Sequence, residues 1–264
     1  MKLSAPIYQL KSQAKKIKKL QDIALSQALN QVAQQEGFAA WSLLMSKHCQ
    51  NFPACYSEVL DYLNNGDLVL LGARPGVGKT TFSYGLLVQA IKNKRSKGFL
   101  FTLAETEKNV RQRVGTYEQS LSEQYYQIDC SDEICADYII GAIDSNIKPG
   151  AVIVVDYLQL IGEKRSQPTL QHQIESLKKF AKSKGCIFIF ICQIDRNIEG
   201  KQDQRPTVCD VRLPNPLDLS LFNKVVFLYR EEKADRAEVI FAGHEDKFFE
   251  VGLDRERKVF SDLI

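Results

Sequence analysis

A chain of 264 residues with 44% hydrophobic and 25% charged side chains has room for one large core plus a small appendage, and no apolar run reaches the roughly 18 residues of a membrane span. The opening stretch, MKLSAPIYQLKSQAKK, lacks the apolar core and cleavage site of a secretory signal, so a cytoplasmic protein without a membrane partner is expected. A net charge of +3 is too small to name a nucleic-acid partner by itself.

The charge is unevenly spread. The first twenty residues hold lysines and no acid, with Ile7, Leu10, Ala14, Ile17 and Leu20 at helical spacing and Lys11, Lys15, Lys16, Lys18 and Lys19 mostly elsewhere. The pattern predicts a helix with one packed and one solvated face, and a phosphate-binding patch is the alternative. A second helix is expected from Ser26 to Gly37, and FAAWSLLM supplies a third short apolar turn with Trp41 as its anchor. Residues 1–48 thus read as a small helical segment, and 49–65 as a linker and short lead-in helix punctuated by Pro53. The seven cysteines (Cys49, Cys55, Cys130, Cys135, Cys186, Cys192, Cys209) contain no CxxC pair, so no zinc site is expected. Cys186 and Cys192, inside the run CIFIFIC, read as small buried hydrophobes.

Over 66–264 the pattern becomes strand and helix in alternation. DLVLLG, GFLFTL, YYQID, AVIVVD and CIFIFIC are strands, separated by helical stretches near 79–92, 107–119, 132–144 and 169–184. Continuous apolar strands divided by helices predict an α/β fold whose mostly parallel sheet is covered on both faces. KVVFLY, AEVIFAG and KFFEVGLD follow without helices between them and predict an antiparallel C-terminal section.

The segment LGARPGVGKTTF joins the first strand to the first of these helices. Its glycines let backbone N–H groups curl around an oxyanion, the helix N-terminus adds the positive end of its dipole, Lys79 reaches terminal phosphates and Thr80 can hold Mg²⁺. The candidate nucleotide contacts are Arg74, Gly76, Val77, Gly78, Lys79, Thr80 and Thr81. The first position of the GxxxxGK[ST] pattern is Ala73, a mild departure because that position mainly has to be small. Asp156 ends the apolar strand AVIVVD about 75 residues downstream, where a carboxylate can organise the metal's water shell. Glu105, just past GFLFTL, is the candidate for orienting an attacking water, with Glu107 as competitor. ATP and Mg²⁺ are the expected cofactors.

ARPGVGKTTF, VVDYLQL, CQIDRNIEGKQDQRPTVCDVR and VVFLYREE occur in an order and spacing that resembles the RecA-like ATPase domain of DnaB-type replicative helicases, over roughly residues 64–262. DYLQL and the QIDR…RPTVCDVR…FLYRE series separate the chain from small-molecule kinases and GTPases. The resemblance implies a RecA-like P-loop fold, a hexamer with ATP at subunit interfaces, and movement on single-stranded DNA. It also implies that Gln193 senses the γ-phosphate alongside Lys79 and Glu105, and that Arg196 and Arg212 contact DNA.

Departures from the family shape the expected activity. The short segment 1–48 stands where the family has a long N-terminal helical domain, so no primase-binding collar is expected. The DNA-facing loop reads DVRLPNPLDLSLFNK, where Pro214 and Pro216 remove backbone donors. At the interface hairpin the family's Lys-x-Arg pair falls near Gly243 to Glu245, with Lys247 the nearest cation. The residue strictly aligned with the family glutamate is Ala104. Such an arginine is worth roughly 10³ to 10⁵ in rate in P-loop enzymes, so slow hydrolysis and weakened unwinding are expected, more than weakened ATP binding. The alternatives are a nucleotide-dependent binding or switch module, a circadian-clock-like or RecA-like ATPase, and a small-molecule phosphotransferase, for which the chain shows no lid.

Overall fold

The computed structural model describes residues 3–48, 52–93, 96–161, 167–213, 215–232, 234–244 and 247–263. Cys49, Pro214 and Glu245, which figure in the expectations above, lie outside the described residues.

Three N-terminal helices, α1 (Ile7–Gln21), α2 (Leu25–Gln35) and α3 (Trp41–His48), close around Ile7, Leu10, Ala14, Ala28, Val32, Ala33 and Leu44. Two details differ from the periodicity. Leu20 sits at the fraying end of α1 and is 86% exposed, because Asp22 turns into the left-handed region (φ +50°) before a partner helix can cover it. The start of α2 is Leu25 rather than Ser26; the backbone N–H of Ala24 is satisfied by Gln27 Oε1 at 3.2 Å, so no serine cap is used. Trp41 is half-buried against this cluster.

The apolar runs become strands β1 (Leu68–Ala73), β2 (Gly98–Thr102), β3 (Tyr126–Asp129), β4 (Val152–Asp156) and β5 (Ile187–Gln193). A short α4 (Val59–Tyr62) precedes them, and α5 (Lys79–Lys92), α6 (Glu107–Tyr117), α7 (Ala136–Ile143) and α8 (Leu170–Lys184) connect them. Strand β6 (Lys224–Tyr229) joins parallel to β1, and β7 (Arg236–Phe241), β8 (Phe248–Asp254) and β9 (Val259–Ser261) then pair antiparallel one after another. The nine strands run in the order β3-β2-β4-β5-β1-β6-β7-β8-β9. Alternate residues of β1 feed two layers: Val69 and Leu71 pack with Phe82 of α5 and Val110 of α6, whereas Leu68 and Leu70 pack with Ile139 of α7 and Ile174 of α8. Cys186 and Cys192 are buried in the second layer.

The helix expected near 132–144 begins only at Ala136. Ser131 N–H donates to Asp129 Oδ1 (2.9 Å) and Glu133 N–H to Ser131 Oγ (3.1 Å), so side chains capture the donors that a helix would need. Strand β9 escapes the sequence pattern because three residues flanked by charges carry no alternation signal.

The N-terminal helices dock on the far end of the sheet. Tyr8 Oη lies 2.7 Å from the Leu219 carbonyl and 2.8 Å from that of Phe222, and Gln9 Nε2 donates to Ser220 O at 2.8 Å. Gly243, in the turn between β7 and β8, has φ +87°, and a Cβ there would lie 2.6 Å from the Tyr8 nitrogen. Gly243→Ala therefore combines left-handed strain with a clash against α1 and should cost about 1–2 kcal/mol or more. Thermal denaturation should show Tm lowered by about 2–8 °C, whereas Gly200→Ala, with nothing within 4 Å of its added methyl, leaves Tm unchanged.

Candidate functional site

Where β1 ends at Ala73 the chain leaves the sheet through Gly76 (φ +78°) and Gly78 (φ +115°) and enters α5 at Lys79. Both glycines occupy backbone conformations that a side chain disfavours, which curls the loop around the open first turn of α5. Gly78 has a second reason to lack a side chain: a Cβ there would lie 2.8 Å from the ring of Phe260 on β9. Val77 is buried, and Arg74 pairs with Glu199 at 2.9 Å.

Lys79 Nζ donates to the carbonyls of Ala73 (2.9 Å) and Arg74 (3.1 Å), so the ammonium is folded over its own loop, and burial lowers its pKa. Thr80 Oγ1 donates to Asp156 Oδ2 at 2.9 Å. Asp156 is 5% exposed; burial pushes its pKa up, against the opposing hydrogen bond from Thr80. A hydroxyl beside a desolvated carboxylate is a pair of hard oxygen donors with charge left to compensate, which fits a small divalent cation such as Mg²⁺.

Of the two glutamates weighed for orienting water, the fold brings Glu105 inward. It forms an ion pair with Arg113, adds to the negative potential at Asp156, and its Oε2 is buried with no hydrogen-bond partner among the described residues. Glu107 instead pairs with Arg111 one turn along α6, with its side chain 55% exposed. Ala104 has no functional group and donates only its N–H, to Thr102 Oγ1. Arg113 also donates to Thr81 Oγ1 (2.8 Å), and Tyr117 Oη donates to Thr81 O (2.9 Å), tying α6 to the loop.

Gln193 ends β5 in register with Ala73, beside the start of the loop. Arg196 and Arg212 are exposed beyond the same end of β5, where Arg212 N–H donates to Gln193 O at 3.0 Å. Gln159, within DYLQL, donates to the Arg212 carbonyl at 2.9 Å and so anchors that segment to the end of β4.

A cleft of 480 Å³ opens over Gly76–Thr81. Its walls include Arg113, Arg230, Arg255 and Lys258, none of which the motif reading picked out. Arg230 donates to Gly76 O at 2.9 Å, and burial followed by the neighbouring Arg255 lowers its pKa. The only sequence signal for Arg230 was its place at the end of the run VVFLYR; Arg255 and Lys258 lie in a charged stretch that offers none. The expected hairpin cation, Lys247, lies by contrast at the other end of the sheet from this loop, since β7 runs antiparallel to β6 and leads into β8 there.

The phosphate-loop geometry on a mostly parallel sheet with an antiparallel extension defines the RecA-like class of α/β domain. Residues 119–259, more than half of the chain, match the family described as DnaB-like helicase C terminal domain, and the chain belongs to that family. It is 26% identical over 233 residues to the replicative DNA helicase DnaB of Mycoplasma pneumoniae, covering 73% of this chain and 48% of that one. The chain spans about half the length of the curated relatives it matches. Among solved structures, a DnaB-like replicative helicase studied with primase superposes with a TM-score of 0.66 at 20% identity, over 96% of this chain and 75% of that one. A KaiC-like protein of Pyrococcus horikoshii OT3 gives a TM-score of 0.53 at 16% identity, over 76% of this chain and 90% of that one. These two likenesses concern the fold alone.

Neutralising the buried carboxylate should stabilise the ligand-free protein. A folded-state pKa raised above the unfolded value means that ionised Asp156 opposes folding at high pH, and that this opposition fades as the pH falls toward the ordinary carboxylate range. Asp156→Asn, which keeps an acceptor for Thr80, should therefore raise Tm at pH 8 without Mg²⁺ and give a smaller gain at pH 5. Calorimetry at the two pH values checks both the sign and the trend.

Proposed function

We propose that this chain binds ATP with Mg²⁺ at the loop of residues 74–81 and hydrolyses it, as an ATPase of the DnaB helicase class that associates with single-stranded DNA. The observation that carries the reading is the Thr80–Asp156 hydrogen bond across the first turn of α5, with Lys79 beside it and four cations walling the cleft. Thr80 and Asp156 would hold Mg²⁺, which would supply positive charge to offset that of the phosphates. Lys79 exchanges its two loop carbonyls for terminal phosphate oxygens. The unpartnered Glu105 Oε2 accepts from the attacking water and orients it. Gln193, level with Ala73 and bonded through its carbonyl to Arg212, links the loop to the segment carrying the proposed DNA contacts Arg196 and Arg212. The proposed assembly is a homo-oligomer with nucleotide between subunits, as the family membership suggests.

A second reading, a nucleotide-dependent binding module with little turnover, rests on the resemblance: the family's Lys-x-Arg pair would fall near Gly243 to Glu245, where this chain has neither residue. Steady-state hydrolysis with and without single-stranded DNA separates the two. Strong DNA-stimulated turnover supports the motor, and tight binding with turnover indifferent to DNA supports the module.

Two substitutions test the site. Lys79→Ala should weaken MgATP binding by about 100-fold or more, roughly 3 kcal/mol, in titration calorimetry; binding within twofold of the parent would remove the loop from the assignment. Glu105→Gln should keep the nucleotide Kd within about twofold and lower single-turnover hydrolysis by about 10² or more. An unchanged rate would take the water-orienting role away from Glu105.

A further inference from the structure

A second cleft, of 310 Å³, lies at the opposite end of the sheet from the phosphate loop, between the N-terminal helices and the edges of β1, β6 and α8. Lys178 and Lys182 of α8, Lys224 at the start of β6, and His48 converge on it, and Asp67 is the one carboxylate among its described lining residues. Asp67 is already engaged, accepting from Asn64 N at 3.0 Å. Lys224 Nζ sits 3.8 Å from the centre of the Tyr62 ring. Burial, and for Lys178 then the charge of Lys182, lowers the pKa of both Lys178 and Lys224 against the opposing charge of Asp67, so three lysines share one carboxylate in the lining of the cleft.

The positive surface does not stop at the rim. Gln9 of α1 lines the cleft, and Lys16 and Lys19 follow it at i+7 and i+10, on the same stripe of that helix. Both are exposed. Lys16 and Lys178 also act on one carboxylate, Asp218, whose pKa is held down first by Ser220 and then by these two lysines. From Gln9 to Lys19 the stripe covers about 15 Å, longer than a single phosphate group requires and long enough for successive phosphates of a strand. Lysines act as mobile point charges without a bidentate fork, which suits a sequence-independent backbone.

We propose that this cleft and the α1 lysine stripe beside it bind the phosphate backbone of a single-stranded nucleic acid, at the end of the sheet remote from the nucleotide loop. The site is independent of Arg196 and Arg212 and does not require that ATP be hydrolysed.

The test is fluorescence anisotropy of the full chain with a labelled oligothymidylate of about 20 nucleotides between about 50 and 200 mM salt, a range over which phosphate contacts dominate. K178E/K182E should weaken binding about tenfold or more and flatten the log–log salt slope by about 1.4, the contribution of two single-strand phosphate contacts. The neutral pair K178Q/K182Q should move both in the same direction, and MgATP binding should be unchanged in both variants, which reports an intact fold. K108E/K148E, exposed lysines elsewhere with the same change in net charge, should bind within about twofold of the parent. The proposal is overturned by an unchanged slope in K178E/K182E, by equal weakening in K108E/K148E, or by a parent that binds no oligonucleotide. Displacement by inorganic pyrophosphate at equal phosphate concentration would make the cleft a small-anion pocket and overturn the strand assignment.

Discussion

The hydrogen bond from Thr80 to Asp156 joins the beginning of α5 to the end of β4, although β4 is not a neighbour of the strand that delivers α5. Strand β5 lies between them, pairing Ala73 with Gln193 on one side and Asp156 with Ile191 on the other. The contact therefore exists only if the parallel order around β5 is correct and β4 stops two residues short of the level at which β1 and β5 end. A polar pair in this position holds an apolar sheet to one register, because a slip of one residue would turn Asp156 toward a packed helix layer. Glu105 is brought in by the same logic: β2 pairs with β4 so that Thr102 lies opposite Asp156, and the glutamate follows three residues on.

Charge is distributed along the strands as well as around the loop. Arginines at the exit of β6 and beyond β8 crowd the cleft over the loop, while lysines gather where β6 begins and α8 ends. Both clefts are thus lined by more cations than carboxylates although the net charge of the chain is only +3. The turn between β7 and β8 belongs to the lysine-rich end, where Gly243 meets Tyr8 of α1. A side chain at Gly243 would therefore disturb the seating of α1.

Most of the architecture was legible because apolar runs such as AVIVVD and CIFIFIC report burial on both faces directly. The loop was legible for a different reason: a bound phosphate imposes its own short pattern of glycine, lysine and hydroxyl residues. Arg113, Arg230, Arg255 and Lys258 were not legible, since each lies in a separate segment and only the folded sheet collects them. Leu20 misled because helical spacing specifies a face and not whether anything covers it. Spacing put Glu105 ahead of Glu107 without showing how either side chain lies; Arg113, eight residues further on, draws Glu105 inward while Arg111 holds Glu107 out.

Phe260 has an implication for how the protein is made. Its ring backs Gly78, and its N–H donates to Tyr117 Oη, the same hydroxyl that is bonded to Thr81 O. The loop thus leans on a side chain that a ribosome adds about 180 residues later. During synthesis β1 and α5 are available early, yet the wall behind the glycines arrives only with β9. A nascent chain, or one clipped before residue 259, would carry every residue of the candidate phosphate loop and lack the ring that backs Gly78.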